Sequence, residues 1–149
     1  MGICNGFQIL CEAGLVEGAL LHNHNQKFIC KNIYIKAETK NSLITSSIKA
    51  SQALKIPIAH GEGRYYAEEK VIAELKKNDQ VLFRYCNEKA EITNSSNPNG
   101  SLENIAGICN KQRNVFGMMP HPERASDEEL NNTDGKLIFD SILSSLKGI

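Results

Sequence analysis

A chain of 149 residues, 41% hydrophobic and 23% charged, has the size and composition of one soluble globular domain with its own core. Seventeen Lys and Arg balance seventeen Asp and Glu, so no electrostatic footprint points to nucleic acid or a membrane surface as partner. No apolar run reaches membrane-spanning length, the N-terminus does not read as a secretory signal, and five cysteines with no Cys-x-x-Cys pair argue against a disulfide framework or zinc ribbon and for a reducing cytoplasm.

The pattern predicts a helix from Asn5 to Leu15, with Phe7, Ile9, Leu10 and Ala13 as its apolar stripe and Gly14 as its stop. Leu20 to Glu38 reads as strand, since Ile33, Ile35 and Ala37 alternate with polar neighbours. Leu54 to His60 is a further strand, and Pro57 within it predicts an edge or a bulge. A short helix over Ala67 to Lys77 and a strand over Val81 to Tyr85 follow. Asn94 to Gly100 carries turn residues. Ile105 to Cys109 and Val115 to Met119 read as strands joined by a turn at Gln112 to Asn114. The chain closes with an amphipathic helix from Asp134 to Leu146, its apolar side formed by Leu137, Ile138, Ile142, Leu143 and Leu146. With no repeat and no linker, residues 1–149 are expected to form one α/β domain.

Gly2-Ile3-Cys4-Asn5-Gly6 is the cysteine form of a nucleophile elbow, a strand-to-helix turn that lifts one side chain clear of a sheet. The glycines relieve crowding there. At a helix start the macrodipole favours thiolate over thiol, and the Asn5 backbone N–H is available to an oxyanion. Cys11, Cys30, Cys86 and Cys109 lack such flanks and are read as small buried apolar residues. An elbow needs a strand before it, and only three residues precede Cys4. Either the chain is the C-terminal portion of a longer domain, or the elbow reading does not hold.

A nucleophilic thiol needs a base and an orienting group. His22 and His24 fit a solvated turn better than a metal pair, because no third ligand lies near them in sequence. His60 sits in a polar, glycine-rich loop, His60-Gly61-Glu62-Gly63-Arg64-Tyr65, expected to face a partner or the mouth of the site. His121 is the preferred base. In Pro120-His121-Pro122-Glu123 the prolines hold the segment extended, so His121 and Glu123 project to one side. Glu123 then orients one imidazole nitrogen and leaves the other for the cysteine proton.

Four stretches together resemble the class I glutamine amidotransferases: Gly2 to Gln8, Ile58 to Tyr65, Asn97 to Ser101 and Gly117 to Arg124. The elbow and the Pro-His-Pro-Glu segment are general to that family. The other two stretches resemble one branch, glutaminase subunits that serve purine biosynthesis. The resemblance implies a flavodoxin-like three-layer α/β sandwich with a parallel-rich sheet, N-terminally truncated here. It implies that Cys4, His121 and Glu123 form a catalytic triad that hydrolyses glutamine, with Asn5, Gly6 and Gln8 at the oxyanion and substrate. No metal and no cofactor are implied in this chain. Ammonia would pass to a synthetase subunit that uses ATP and Mg, acts on formylglycinamide ribonucleotide and has a small accessory subunit. The family's second oxyanion donor comes from a glycine-rich loop that this sequence does not contain. Two other readings share some of these residues: a cysteine hydrolase on a related α/β sheet, and an inactive segment serving only as an interaction surface.

Overall fold

A computed structural model describes residues 1–147. Eight strands and three α-helices organise them: β1 (Gly2–Ile3), α1 (Asn5–Glu12), β2 (Ala19–Leu21), β3 (Ile29–Ala37), β4 (Leu54–His60), β5 (Arg64–Tyr66), α2 (Glu69–Lys77), β6 (Val81–Cys86), β7 (Ile105–Cys109), β8 (Phe116–Met118) and α3 (Lys136–Lys147). Six strands form the main sheet in the order β1-β8-β7-β6-β3-β4, and β2 pairs with β5 in a separate ribbon.

The sheet is the middle of three layers. On one side α1 and α2 bury Phe7, Ile72 and Leu75 against Tyr65, Val81, Ile105 and Ile108. On the other, Ile138 of α3 and the turn residues Ile44 and Ile48 close over Ile35, Ile56, Phe83 and Tyr85. Every residue of β6 and of β7 is buried, as expected of central strands covered on both faces.

The α/β class and the layering are those expected from the sequence, but the balance of strand directions is not. Among the described residues only β1 and β8 pair in parallel; β3–β4, β3–β6, β6–β7 and β7–β8 are antiparallel. Parallel neighbours need a crossover of a dozen or more residues, usually a helix. No α-helix lies between β3 and β4, between β6 and β7, or between β7 and β8, so the chain doubles back at each of these steps.

Other differences are local. Helix α1 ends at Glu12, before the expected Leu15, although Gly14 does take the left-handed conformation of a stop, φ 67°. The Leu20–Glu38 region divides into β2 and β3 around a turn at Asn23. Strand β5 was not anticipated. On α3, Leu137, Ile138 and Ile142 join the core, whereas Leu143 and Leu146 are exposed. Pro57 does mark an edge: β4 is the last strand of the sheet.

Candidate active site

The elbow forms from a strand of two residues. Gly2 and Ile3 pair in parallel with Gly117 and Met118, and the Cys4 backbone N–H extends the ladder to the Met118 carbonyl at 2.8 Å. Cys4 then turns at φ 52° and caps α1. That left-handed backbone on a non-glycine residue is the strain expected of a nucleophile elbow. Gly2 is required for close approach, because a Cβ there would lie 2.6 Å from the Gly6 backbone. Gly6 differs from expectation: a Cβ on it would meet nothing within 4 Å.

The free edge of β4 gathers the remaining groups. In this antiparallel edge strand, Lys55, Pro57 and Ala59 turn their backbone polar groups outward, away from β3. The Pro57 carbonyl accepts the His121 backbone N–H at 2.9 Å, and the Ala59 carbonyl accepts the Cys4 thiol at 3.6 Å. Two residues of strand span about 7 Å, so one short stretch of edge holds both Cys4 and His121. Pro57 has no N–H to leave unpaired at this position.

His121 is buried, with Nδ1 2.6 Å from Glu123 Oε1. The carboxylate holds the proton on Nδ1 and frees Nε2 for chemistry. Nε2 is closed to solvent and has no hydrogen-bond partner among the described residues. The backbone differs from the expected extended run, since Pro122–Ala125 forms a 3-10 turn. Proline is well suited to the first position of such a turn, where a backbone N–H has no partner. Arg124 Nε lies 3.7 Å from the same Glu123 oxygen.

The Cys4 thiol is not shifted as the helix start alone would predict. Burial pushes its pKa up; the Asn5 backbone N–H facing the sulfur and the Arg124 charge pull it down, and Glu123 pushes it up again. Desolvation outweighs the helix terminus, so the resting group is a thiol. Among the other cysteines, Cys86 and Cys109 are buried as expected, Cys11 is half-buried and Cys30 is exposed on β3. Burial and then Glu12 push Cys11 up to about 12.

Gln8 donates from Nε2 to the Glu62 carbonyl at 2.6 Å. Together with Asn5, Leu20 and Glu62 it lines a cavity of about 210 Å³ beside α1. His22 and His24 are exposed, and no group of three or more candidate metal ligands occurs among the described residues. His60 corrects the expectation of a polar, outward-facing loop. It is 3% exposed, and of His60, Glu62 and Arg64 only Glu62 is exposed. Sequence reasoning missed Asn23 and the Ala59 carbonyl altogether. A backbone acceptor leaves no residue signal, and Asn23 lies in a polar run between two histidines.

This geometry, an elbow cysteine with a carboxylate-oriented histidine on an α/β sheet, defines the class. A family profile described as CobB/CobQ-like glutamine amidotransferase domain matches residues 1–138, and the chain belongs to that family. More particularly, it is similar to the phosphoribosylformylglycinamidine synthase subunit PurQ of several organisms. It is 56% identical to that of Acaryochloris marina over 146 residues, 98% of this chain and 62% of that protein. It is 51% identical to that of Aquifex aeolicus over 144 residues, 97% and 63% of the two. The chain thus spans a little over three-fifths of the curated relatives it matches. Among solved structures it resembles PurLQS from Thermotoga maritima, with a TM-score of 0.82 and 44% identity over 98% of this chain and 61% of that one. No helix among the described residues is long and apolar enough to cross a membrane.

Proposed function

We propose that residues 1–149 act as a glutamine amidotransferase domain that hydrolyses glutamine to glutamate and ammonia for a phosphoribosylformylglycinamidine synthase. Cys4 attacks the side-chain carbonyl of glutamine after His121 Nε2 takes its proton. Glu123 keeps His121 in the required tautomer and stabilises the imidazolium that forms. The Asn5 N–H at the start of α1 stabilises the oxyanion, with Gly6 and Gln8 beside the substrate. His121 protonates the departing nitrogen, and water then releases glutamate from the thioester. Ammonia passes to the synthetase subunit, which works with a small accessory subunit and uses ATP and Mg to convert formylglycinamide ribonucleotide to formylglycinamidine ribonucleotide in the cytoplasm. The glutamine step uses side chains and backbone alone.

The observation that carries this reading is the convergence on one strand edge. A cysteine at φ 52° and a histidine 2.6 Å from its carboxylate are both fastened to β4, through Ala59 and Pro57. The test is covalent labelling of the complete protein by a glutamine analogue with an electrophile at the side-chain carbonyl. Peptide mapping is expected to find the label on Cys4. Labelling mainly at Cys11, Cys30, Cys86 or Cys109 would remove the assignment.

A further inference from the structure

Asn23 and His60 form a pair that the triad leaves unused. Asn23 is fully buried, and its Nδ2 donates to the carbonyls of Lys27 and His60, each at 2.8 Å. Two carbonyl acceptors determine which end of the amide is nitrogen. Its Oδ1 therefore faces His60 Nδ1 at 3.0 Å and the Gly63 N–H at 3.1 Å. An amide oxygen only accepts, so His60 Nδ1 carries the proton and Nε2 carries a lone pair. Gly63 lies against the ring, and a Cβ there would run into it.

That Nε2 lone pair is closed to solvent and meets no donor among the described residues. A buried acceptor left in this state is costly and calls for an explanation, a catalytic role being one. His60 directly follows Ala59, whose carbonyl faces Cys4 Sγ, and the His121 charge is felt at its ring. The Nε2 of His121 is closed and unpartnered in the same way. Since the expected base itself is shut off in the resting state, closure does not separate His60 from the reaction.

We propose that His60 is a further catalytic residue, its Nε2 accepting an N–H from the nitrogen that leaves the substrate carboxamide, and that Asn23 is the residue that positions it. This rests on the glutaminase reading. In acylation the bond from Cys4 Sγ to the carboxamide carbon forms and the C–N bond breaks. Its electron pair stays on nitrogen, and His121 Nε2 gives the proton that completes ammonia. An acceptor that holds the other hydrogens turns the nitrogen lone pair toward His121. Burial, and then the charge of His121, holds the His60 imidazole down to about 4. It accepts a hydrogen bond without making ammonium, which has no lone pair left for a later attack.

The test compares an amide with an ester in the complete protein, assembled with its synthetase. Glutamine brings N–H groups to the leaving atom; glutamate γ-methyl ester brings none. His60→Asn keeps a donor toward Asn23 and removes the Nε2 acceptor, whereas His60→Gln restores an acceptor at that reach. His60→Asn is expected to lower kcat on glutamine about tenfold or more, the worth of one well-made hydrogen bond, with ester turnover within about twofold of wild type. His60→Gln is expected to regain most of the loss, and Asn23→Ser, which frees the ring to take either tautomer, to lie between the two. An equal fall on both substrates, or no fall on glutamine, would overturn the proposal. A wild-type complex that cleaves neither substrate would instead overturn the glutaminase reading itself.

Discussion

At the scale of single residues, Cys4 and His121 share one property: each is shielded from solvent. The thiol is desolvated and its proton faces the Ala59 carbonyl, while His121 Nε2 is free of partners. A raised thiol pKa means that the protonated form persists to higher pH than in a free cysteine, for which ionisation is centred near about 8.5. The alkylation rate of Cys4 in the ligand-free complete protein is therefore expected to rise with pH with a midpoint above that value. Iodoacetamide kinetics with peptide mapping would measure it, mapping being needed because Cys30 is exposed. A midpoint below the free-thiol value would contradict the dominance of burial. The elbow and the histidine were legible in the sequence because each carries its own local chemistry: glycine spacing for one, a proline-flanked carboxylate for the other. The direction of the Cys4 shift was not, because desolvation depends on what packs around the sulfur, and that is set by residues more than fifty positions away.

At the scale of elements, β4 sets the geometry of the site. An edge strand presents unpaired backbone groups that usually need protection. Here they are taken up in turn: Asp134 Oδ2 accepts the Lys55 N–H at 2.7 Å, Asn132 Nδ2 donates to the Lys55 carbonyl at 2.7 Å, and Pro57 and Ala59 hold His121 and Cys4. The same contacts that blunt the edge fasten Cys4 and His121 to one strand. Asp134→Ala is expected to cost about 1 kcal/mol of stability, the net value of one such hydrogen bond, and to lower glutamine turnover more than ammonia-dependent turnover. Chemical denaturation and steady-state kinetics would read both, and a variant unchanged in each would show that β4 does not set the register. Pro57 announced this edge in the sequence, since a missing N–H excludes a central strand. The partners of the edge were hidden, because Asn132 and Asp134 meet Lys55 across 77 and 79 residues.

At the scale of the whole molecule, the three layers are what the family resemblance implies, while helical and strand periodicities report which faces of the elements are buried. The turn at Gln112 to Asn114 signals the antiparallel β7–β8 pair, but the other strand directions did not follow, because periodicity is blind to pairing partners. β1 pairs with β8, and the Cys4 backbone N–H donates to Met118 of that strand, which ties position 4 to the strand leading into His121. The central claim is that Cys4 and His121 form the working pair of a glutaminase. The most direct measurement compares glutamine with free ammonia as nitrogen source in the assembled synthase carrying His121→Ala. Loss of the base leaves the thiol unactivated while added ammonia bypasses that step. The expected result is glutamine-dependent synthesis reduced by at least about 10³-fold with ammonia-dependent synthesis close to wild type, and a milder loss for Glu123→Gln. A parallel fall of both activities in His121→Ala, or its retention of glutamine-dependent synthesis, would contradict the account.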